Sequence, residues 1–233
     1  MIDFYFWPTP NGWKASIMLE ECGLEYNLIP VNISKGDQFK PEFLEISPNN
    51  RMPAIVDHDV EGPPVPVFES GAILFYLAEK LGKFIPSDPV GRKEALEWLF
   101  WQVGNQGPMA GQLSHFVNYA PEPQPYSQTR YANEYGRCLG VLERRLEDRA
   151  YILGDYSIAD IICWPWAFIA KPLGQPLDEF PNVARWRNDI KQRPAVQRGV
   201  DLGKEFRRTA PPDDEERKLL FSQSAQSVKE QIE

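Results

Sequence analysis

The chain has 233 residues, of which 42% are hydrophobic and 12% aromatic, enough apolar side chains for a substantial buried core. Its formal net charge of −8 would repel nucleic-acid phosphates and anionic lipid headgroups, which argues against both as partners. These properties favour a globular protein that acts on a small molecule.

The first residues, MIDFYFWPTP, are acidic and broken by Pro8 where a secretory leader would be basic and then apolar. No apolar run approaches the roughly 18 residues of a membrane-spanning helix, so we expect a cytoplasmic protein. The cysteines are odd in number and far apart, which argues against a disulfide framework and a zinc site. With only His58 and His115 as imidazoles, no metal is expected.

The first 81 residues predict a domain of alternating strands and helices. The hydrophobic periods predict strands at 2–6, 26–31, 53–57 and 65–68 and helices at 13–22, 41–46 and 71–81. We expect the first two strands to be parallel and the last two to form an antiparallel hairpin. The result is one mixed four-stranded sheet flanked by helices, an α/β domain.

The second half predicts an all-α domain. Residues 82–90 are polar and rich in proline, which is typical of a linker. The helical domain at 91–207 is expected to contain helices at 91–116, 126–149, 158–170, 182–192 and 195–206. Residues 208–233 form a charged tail, expected to be a solvated extension or a segment packed on a partner, with disorder at its end.

The corner after the first strand reads Pro8-Thr9-Pro10-Asn11-Gly12 and contains no cysteine. Thr9 supplies a hydroxyl, Asn11 an amide, and the helix start its unpaired N–H groups and the positive end of the dipole. Such a corner favours a thiolate or another anion. The simpler alternative is that Asn11 only caps the helix.

Two other short motifs have the same double meaning. A cis bond at Met52-Pro53 would free the main-chain groups of Met52 for an extended ligand, although an ordinary trans proline is commoner there. At Glu69-Ser70, a strand gives way to a helix. Ser70 and the first amides can hold a carboxylate while Glu69 holds an ammonium, or Ser70 can simply be a helix cap.

Two features of the helical half are interpreted as structural. Ser157 stands three residues before Asp160, the spacing of a capping box, and its loss should cost about 1 kcal/mol of stability. The aromatic strings at 98–101 and 164–166 are expected mostly in the core, with some rings lining a pocket.

The order and spacing of these motifs resemble the glutathione transferase superfamily over roughly residues 1–205. The PTPNG corner and the Ser-Pro-Asn-Asn turn at 47–50 resemble most closely its Nu-class, Ure2-like branch. The resemblance implies a thioredoxin-like N-terminal domain at 1–81, a helical C-terminal domain, glutathione as cosubstrate and a homodimer.

The resemblance also implies the site residues. Thr9 and Asn11 would approach the glutathione sulfur and are the catalytic candidates. The glutathione-binding candidates are Gln38 at the glycyl end, Met52 with a cis Pro53 at the cysteinyl part, Glu69 and Ser70 at the γ-glutamyl end, and Arg130 as a cation from the helical domain.

The implied activity is glutathione-dependent reduction of small disulfides, with modest transferase or peroxidase side activity. The missing cysteines are then explained, because two glutathiones replace the two thiols of a Cys-x-x-Cys enzyme. One alternative is conjugation of glutathione to electrophiles, for which Tyr5 on the first strand is a candidate, facing either the pocket or solvent. The other is a non-catalytic glutathione-binding or regulatory module.

Overall fold

The N-terminal part of the protein is built on a mixed sheet, in a computed structural model that describes residues 1–208 and 210–226. The strand order is β2-β1-β3-β4, with β1 at Ile2–Phe6, β2 at Tyr26–Pro30, β3 at Ala54–Asp57 and β4 at Val65–Phe68. Strand β1 is parallel to β2 and antiparallel to β3, which pairs antiparallel with β4. The predicted four-stranded mixed sheet is confirmed.

Three α-helices accompany this sheet: α1 at Pro10–Cys22, α2 at Pro41–Leu44 and α3 at Ser70–Leu81. Helix α1 begins three residues earlier than predicted, because Thr9 caps it and Pro10 suits its first position. It ends at Gly23, whose φ of 67° is the left-handed conformation that glycine adopts at helix ends.

The C-terminal part is helical, as predicted, but its first long helix is broken. The α-helices are α4 at Pro89–Trp101, α5 at Gly107–Asn118, α6 at Pro125–Arg145, α7 at Ile158–Phe168, α8 at Pro181–Lys191, α9 at Pro194–Asp201 and α10 at Asp214–Phe221. The prediction of one helix over 91–116 is wrong, because a π-helical segment at Gln102–Gln106 separates α4 from α5. Helix α4 also starts inside the predicted linker, where Asp88 caps it.

Helix α7 lies at the centre of the main hydrophobic core, which runs through both parts of the chain. The predicted capping box of Ser157 and Asp160 begins this helix and is confirmed. Helix α1 packs against α7 on one side and α9 on another. This second contact needs Gly199, because a Cβ there would lie 2.8 Å from the main-chain N of Ile17. None of the helices formed by the described residues is both long and apolar enough to cross a membrane.

Part of the charged tail folds onto its own chain, which neither expectation for it included. In α10, the Phe221 ring lies 4.6 Å from the His115 ring and 5.2 Å from that of Tyr119, centroid to centroid. Arg208, just before α10, donates to Ser34 Oγ at 2.8 Å. The tail thus bridges the two parts. Residues 227–233, where disorder was expected, lie outside the described residues.

Candidate functional site

A cleft of about 710 Å³ lies between the sheet domain and the helical domain. Its size falls within the roughly 300–1,000 Å³ of small-molecule sites. The helical wall includes the α4–α5 junction, Tyr119, Trp166 and Leu220 of α10. Seven of the eight predicted site residues line the cleft: Thr9, Asn11, Gln38, Met52, Pro53, Glu69 and Ser70.

Thr9 forms the corner at the start of α1. Its Oγ1 accepts a hydrogen bond from the N–H of Gly12 at 3.2 Å and contacts Met52 Sδ at 3.9 Å. A thioether is a weak acceptor, so the hydroxyl proton is available to a better one, such as a thiolate. Glycine is required at position 12, because a Cβ would collide with the carbonyl oxygen of Trp7.

Asn11 joins α1 to the helical domain. Its Oδ1 accepts a hydrogen bond from Trp166 Nε1 at 3.3 Å, whereas its Nδ2 has no partner in the described part of the chain. The alternative that Asn11 caps α1 is therefore wrong, since Thr9 does so. The amide N–H groups are left as donors beside Thr9 at the cleft.

The Met52-Pro53 peptide bond is cis, as the resemblance implied. Strand β3 begins only at Ala54, and no residue of the described chain hydrogen-bonds the main-chain N–H or C=O of Met52. An extended ligand in the cleft can therefore pair with both groups, as an added strand would.

Glu69 and Ser70 form the corner between β4 and α3. Glu69 adopts a φ of 68°, rare for a residue with a side chain, and its Oε1 accepts from Asn49 Nδ2 at 3.3 Å. Ser70 is the first residue of α3 and not its cap, contrary to the alternative reading. Its largely buried hydroxyl makes no hydrogen bond within the described residues and stands beside first-turn N–H groups that lack intrahelical partners.

Gln38 lies at another side of the cleft, in a short 3₁₀ turn at Asp37–Phe39. The side chain is almost fully buried, and Nε2 donates to the carbonyl of Ile33 at 3.2 Å. Its Oε1 has no partner among the described residues. The buried amide thus keeps one polar atom for a ligand.

Arg130 and Tyr5 do not line this cleft. Arg130 lies on α6 with an exposed side chain paired to Glu134 at 2.8 Å. The Tyr5 ring packs 5.8 Å from the Phe43 ring in a small second apolar cluster, so it faces neither the pocket nor open solvent. Burial raises the pKa of Tyr5, the opposite of what activation of a neighbouring thiol by a tyrosinate requires.

The protein's own thiols are poorly suited to disulfide chemistry. The three cysteines are buried and unpaired, and none lines the cleft within the described chain. Burial raises the pKa of Cys22 to about 11 and that of Cys163 well above its usual range, so these thiols stay protonated and inert. Within residues 1–208 and 210–226, no cluster of three or more His, Cys, Asp or Glu could hold a metal.

Lys14 and Gln102 are cleft residues that the motifs did not reveal. Lys14 is only 2% exposed, and its Nζ donates to Gln102 Oε1 at 2.8 Å. The signal that could have found it is the helix period: Lys14 precedes Ile17 by three positions and Met18 by four, so a lysine shares the face of two core residues.

Comparisons with known proteins agree with this geometry. Residues 1–79 match the family model of the glutathione S-transferase N-terminal domain, and residues 125–189 match that of the C-terminal domain. The disulfide-bond oxidoreductase YfcG of Escherichia coli strain K12 is 52% identical over 199 residues, or 84% of this chain and 93% of YfcG.

Two solved structures are also similar. A glutathione transferase from Burkholderia graminis, with two glutathione molecules bound per subunit, is 48% identical with a TM-score of 0.83 and coverage of 87% of this chain and 88% of that one. A glutathione transferase from Pseudomonas putida, with one glutathione disulfide bound per subunit, is 43% identical with a TM-score of 0.82 and coverage of 87% and 91%.

Proposed function

Because the chain belongs to the glutathione transferase superfamily of enzymes, we propose that it reduces small disulfides with thiols supplied by glutathione. The observation that carries this proposal is the corner at Thr9. The N-terminus of α1, whose first N–H groups have no intrahelical partners, opens onto a large cleft, while the protein's cysteines lie buried away from it. The sulfur chemistry must then come from the cosubstrate. The name of the relative YfcG, a disulfide-bond oxidoreductase, supports the same activity.

Glutathione fits the unpaired groups of the sheet-domain wall. Its cysteinyl part pairs with the main chain of Met52, and its γ-glutamyl carboxylate accepts from Ser70 and the first-turn amides of α3. Its ammonium pairs with Glu69, whose carboxylate has only Asn49 as a partner in the described chain. The glycyl end reaches Gln38.

The sulfur of this glutathione lies at the start of α1. A cysteine-type thiol has a pKa near 8.5, so lowering it by about two units needs roughly 2.7 kcal/mol of preferential stabilisation of the thiolate. Hydrogen bonds to a charged acceptor contribute about 1.5–3 kcal/mol each, and a helix N-terminus contributes about 0.3–1 kcal/mol. The hydroxyl of Thr9, the amide of Asn11 and the α1 dipole therefore suffice.

The reaction has two exchanges. A glutathione thiolate attacks one sulfur of the disulfide, a new S–S bond forms as the old one breaks, and the departing thiolate takes up a proton. A second glutathione thiolate attacks the mixed disulfide and releases oxidised glutathione and the second substrate thiol. Two glutathiones are oxidised and one disulfide is reduced. The bound pairs in the relatives' structures support a cleft that holds both.

Conjugation to electrophiles is the weaker candidate, since Tyr5 lies outside the cleft. We retain transferase and peroxidase turnover only as side activities. We further propose that the enzyme is a cytoplasmic homodimer, for which sedimentation at micromolar concentration is the check on the dimer.

A paired assay tests the proposal, comparing glutathione-dependent reduction of a small dialkyl disulfide with conjugation of an aryl chloride. We expect disulfide reduction to dominate in the wild type. Thr9→Ala and Asn11→Ala should each lower its kcat/KM by about tenfold or more, because each removes a hydrogen bond to the thiolate. Tyr5→Phe is the control and should change neither activity. Dominant conjugation lost only in Tyr5→Phe would refute the proposal, and glutathione binding without turnover would indicate a binding module.

A further inference from the structure

A positive charge is buried beside the sulfur end of the cleft with very little to compensate it. Lys14 lies one helical turn below Asn11 on α1, and its ammonium has three donors but only one acceptor, Gln102 Oε1 at 2.8 Å. Within the described chain, no ion pair includes Lys14. Burying a charge is expensive unless it is paired, so this arrangement needs an explanation.

The residues around Lys14 are also short of partners. Gln102 and Gln106 begin and end the π-helical segment and are fully buried, yet Gln102 Nε2 and Gln106 Oε1 have no partner among the described residues. Gln106 Nε2 donates to the carbonyl of Cys163 at 3.2 Å. Single π-helical turns inside helices occur frequently at functional sites, and this one places an amide directly against the lysine.

Two titratable groups face Lys14 from neighbouring elements, and neither neutralises it. Glu69 acts from the β4–α3 corner without a hydrogen bond to the ammonium, and the Cys163 thiol on α7 is kept protonated by burial. Burial lowers the pKa of Lys14 to about 7. An anion in the cleft would therefore complete the pairing that the folded chain leaves unfinished.

The position of Lys14 on α1 indicates where this anion sits. Residues three apart lie on one face of a helix, and side chains lean toward the helix N-terminus, so Lys14 reaches up beneath Asn11. Lys14, Asn11 and Thr9 all line the same cleft. An anion at the α1 N-terminus would thus meet the helix dipole from one side and the ammonium from beneath.

We propose that Lys14 is a positioning residue of the sulfur site, whose buried ammonium, held by Gln102, favours the thiolate over the thiol of glutathione bound at the start of α1. This inference rests on the function proposed above. The thiol proton leaves to solvent, and no electron is transferred in this step. The thiolate in turn favours the charged form of Lys14, so that the two ionise as a coupled pair.

The test is an ultraviolet titration of the thiolate of bound glutathione, at saturation, in the wild type, Lys14→Met and Lys14→Arg. The control is Lys93→Met, which removes an exposed lysine that pairs with Glu97 on α4. Removing one nearby positive charge should raise the bound thiol's pKa by about one unit. At a pH below the bound thiol's pKa in both the wild type and the variant, Lys14→Met should then have about tenfold less thiolate. The acid limb of kcat/KM for the disulfide, measured at saturating glutathione, should move up by about one pH unit. Lys14→Arg should retain most of the effect, and Lys93→Met should match the wild type.

S-methylglutathione separates charge from shape, because it has no ionisable thiol. Lys14→Met should bind it within about threefold of the wild type, whereas a merely structural role would weaken this binding as well. A second variant, Gln102→Glu, keeps Lys14 but neutralises it with a carboxylate, and should also raise the thiol's pKa.

The outcomes for this inference and for the proposed function are distinct. A thiol pKa in the wild type equal to that of free glutathione would overturn the proposed function. A lowered pKa in the wild type that survives unchanged in both Lys14→Met and Gln102→Glu would overturn the role of Lys14 alone.

Discussion

Asp160, in the first turn of α7, and Lys14, on the helix α1 that packs against α7, are both buried charged side chains, and they differ in how fully they are paired. The carboxylate of Asp160 accepts four hydrogen bonds of 2.8–3.2 Å, from the N–H and Oγ of Ser157, the N–H of Ile152 and Trp186 Nε1. Lys14 has a single acceptor, and buried amide atoms close to it remain without partners.

The difference separates a structural network from a site. A buried polar network whose members are all satisfied makes the fold rigid and specific, and that of Asp160 fixes the start of α7 and its contacts with the 152 and 186 regions. A buried group left short of partners lowers stability, and such groups concentrate where a ligand completes them. Substitutions at the two positions should therefore change stability in opposite directions.

Asp160→Ala should give the largest loss of stability. The substitution removes the carboxylate that accepts from four buried donors. Each donor left without an acceptor lowers the free energy of unfolding by roughly 1–3 kcal/mol before the structure relaxes. We expect the free energy of unfolding to fall by about 3 kcal/mol or more, measured by urea denaturation followed through tryptophan fluorescence.

The matched control for this prediction is Asp155→Ala. Asp155 is an exposed acid five residues earlier, in the segment before α7, so its loss should change the free energy of unfolding by less than about 0.5 kcal/mol. Equal effects at the two positions would mean that the buried network does not stabilise α7.

Lys14→Met should move stability the other way. A methionine of similar length fills the same space without a charge to desolvate, and replacing buried charges by apolar groups is often neutral or stabilising by 1–4 kcal/mol. We expect a gain of about 2 kcal/mol in the free energy of unfolding of ligand-free protein at pH 6.5. With glutathione bound, the same variant should show the loss of thiolate described above. A clear loss of stability would show that the lysine is structural, contrary to the comparison.

The pH dependence of this difference has a definite sign. Burial lowers the pKa of Lys14 to about 7 in the folded state, below the roughly 10.4 of an exposed lysine, so between these values the unfolded chain binds more protons. Wild-type stability should therefore rise, relative to that of Lys14→Met, as the pH increases from about 7 toward 10. Urea unfolding of both proteins at pH 6.5 and 9 measures this, and a constant difference would contradict a charged, buried Lys14.

Local sequence patterns predicted much of the fold because they depend on residues close in the chain. The period-2 strands and the Ser157–Asp160 capping box each act within a few residues, and the structure has them. The π-helical break at Gln102–Gln106 was missed because the 3.6-residue pattern runs through it. The packing of Phe221 on His115 was missed because it joins residues far apart in sequence.

The same distinction holds for the candidate site. The corner at Thr9, the cis bond before Pro53 and the corner at Glu69 were implied by the family resemblance that their short motifs carry, and these residues do line one cleft. Alternation along β1 could not place Tyr5, because both faces of that strand are covered in the fold. The helix period places Lys14 on the buried face of α1, but its acceptor Gln102 is 88 residues away, and no local motif encodes that contact.

The smallest expected effects on stability come from the caps of the two helices that carry Asp160 and Lys14. Ser157 Oγ accepts from the N–H of Ala159 at 3.3 Å, and Thr9 Oγ1 accepts from that of Gly12 at 3.2 Å. Ser157→Ala and Thr9→Ala should therefore each lower the free energy of unfolding by about 1 kcal/mol.

Their functional effects should nevertheless differ. The Ser157 hydroxyl donates a hydrogen bond to Asp160, so Ser157→Ala should leave the pKa of bound glutathione and the kcat/KM for disulfide reduction unchanged. The Thr9 hydroxyl donates to no acceptor stronger than the Met52 sulfur, so Thr9→Ala should raise the pKa of bound glutathione and lower kcat/KM for disulfide reduction. Unfolding curves and the thiolate titration on both variants measure the two effects separately. If both substitutions changed the pKa of bound glutathione equally, the effect of Thr9 would come from the stability of its helix and not from its hydroxyl as a hydrogen-bond donor.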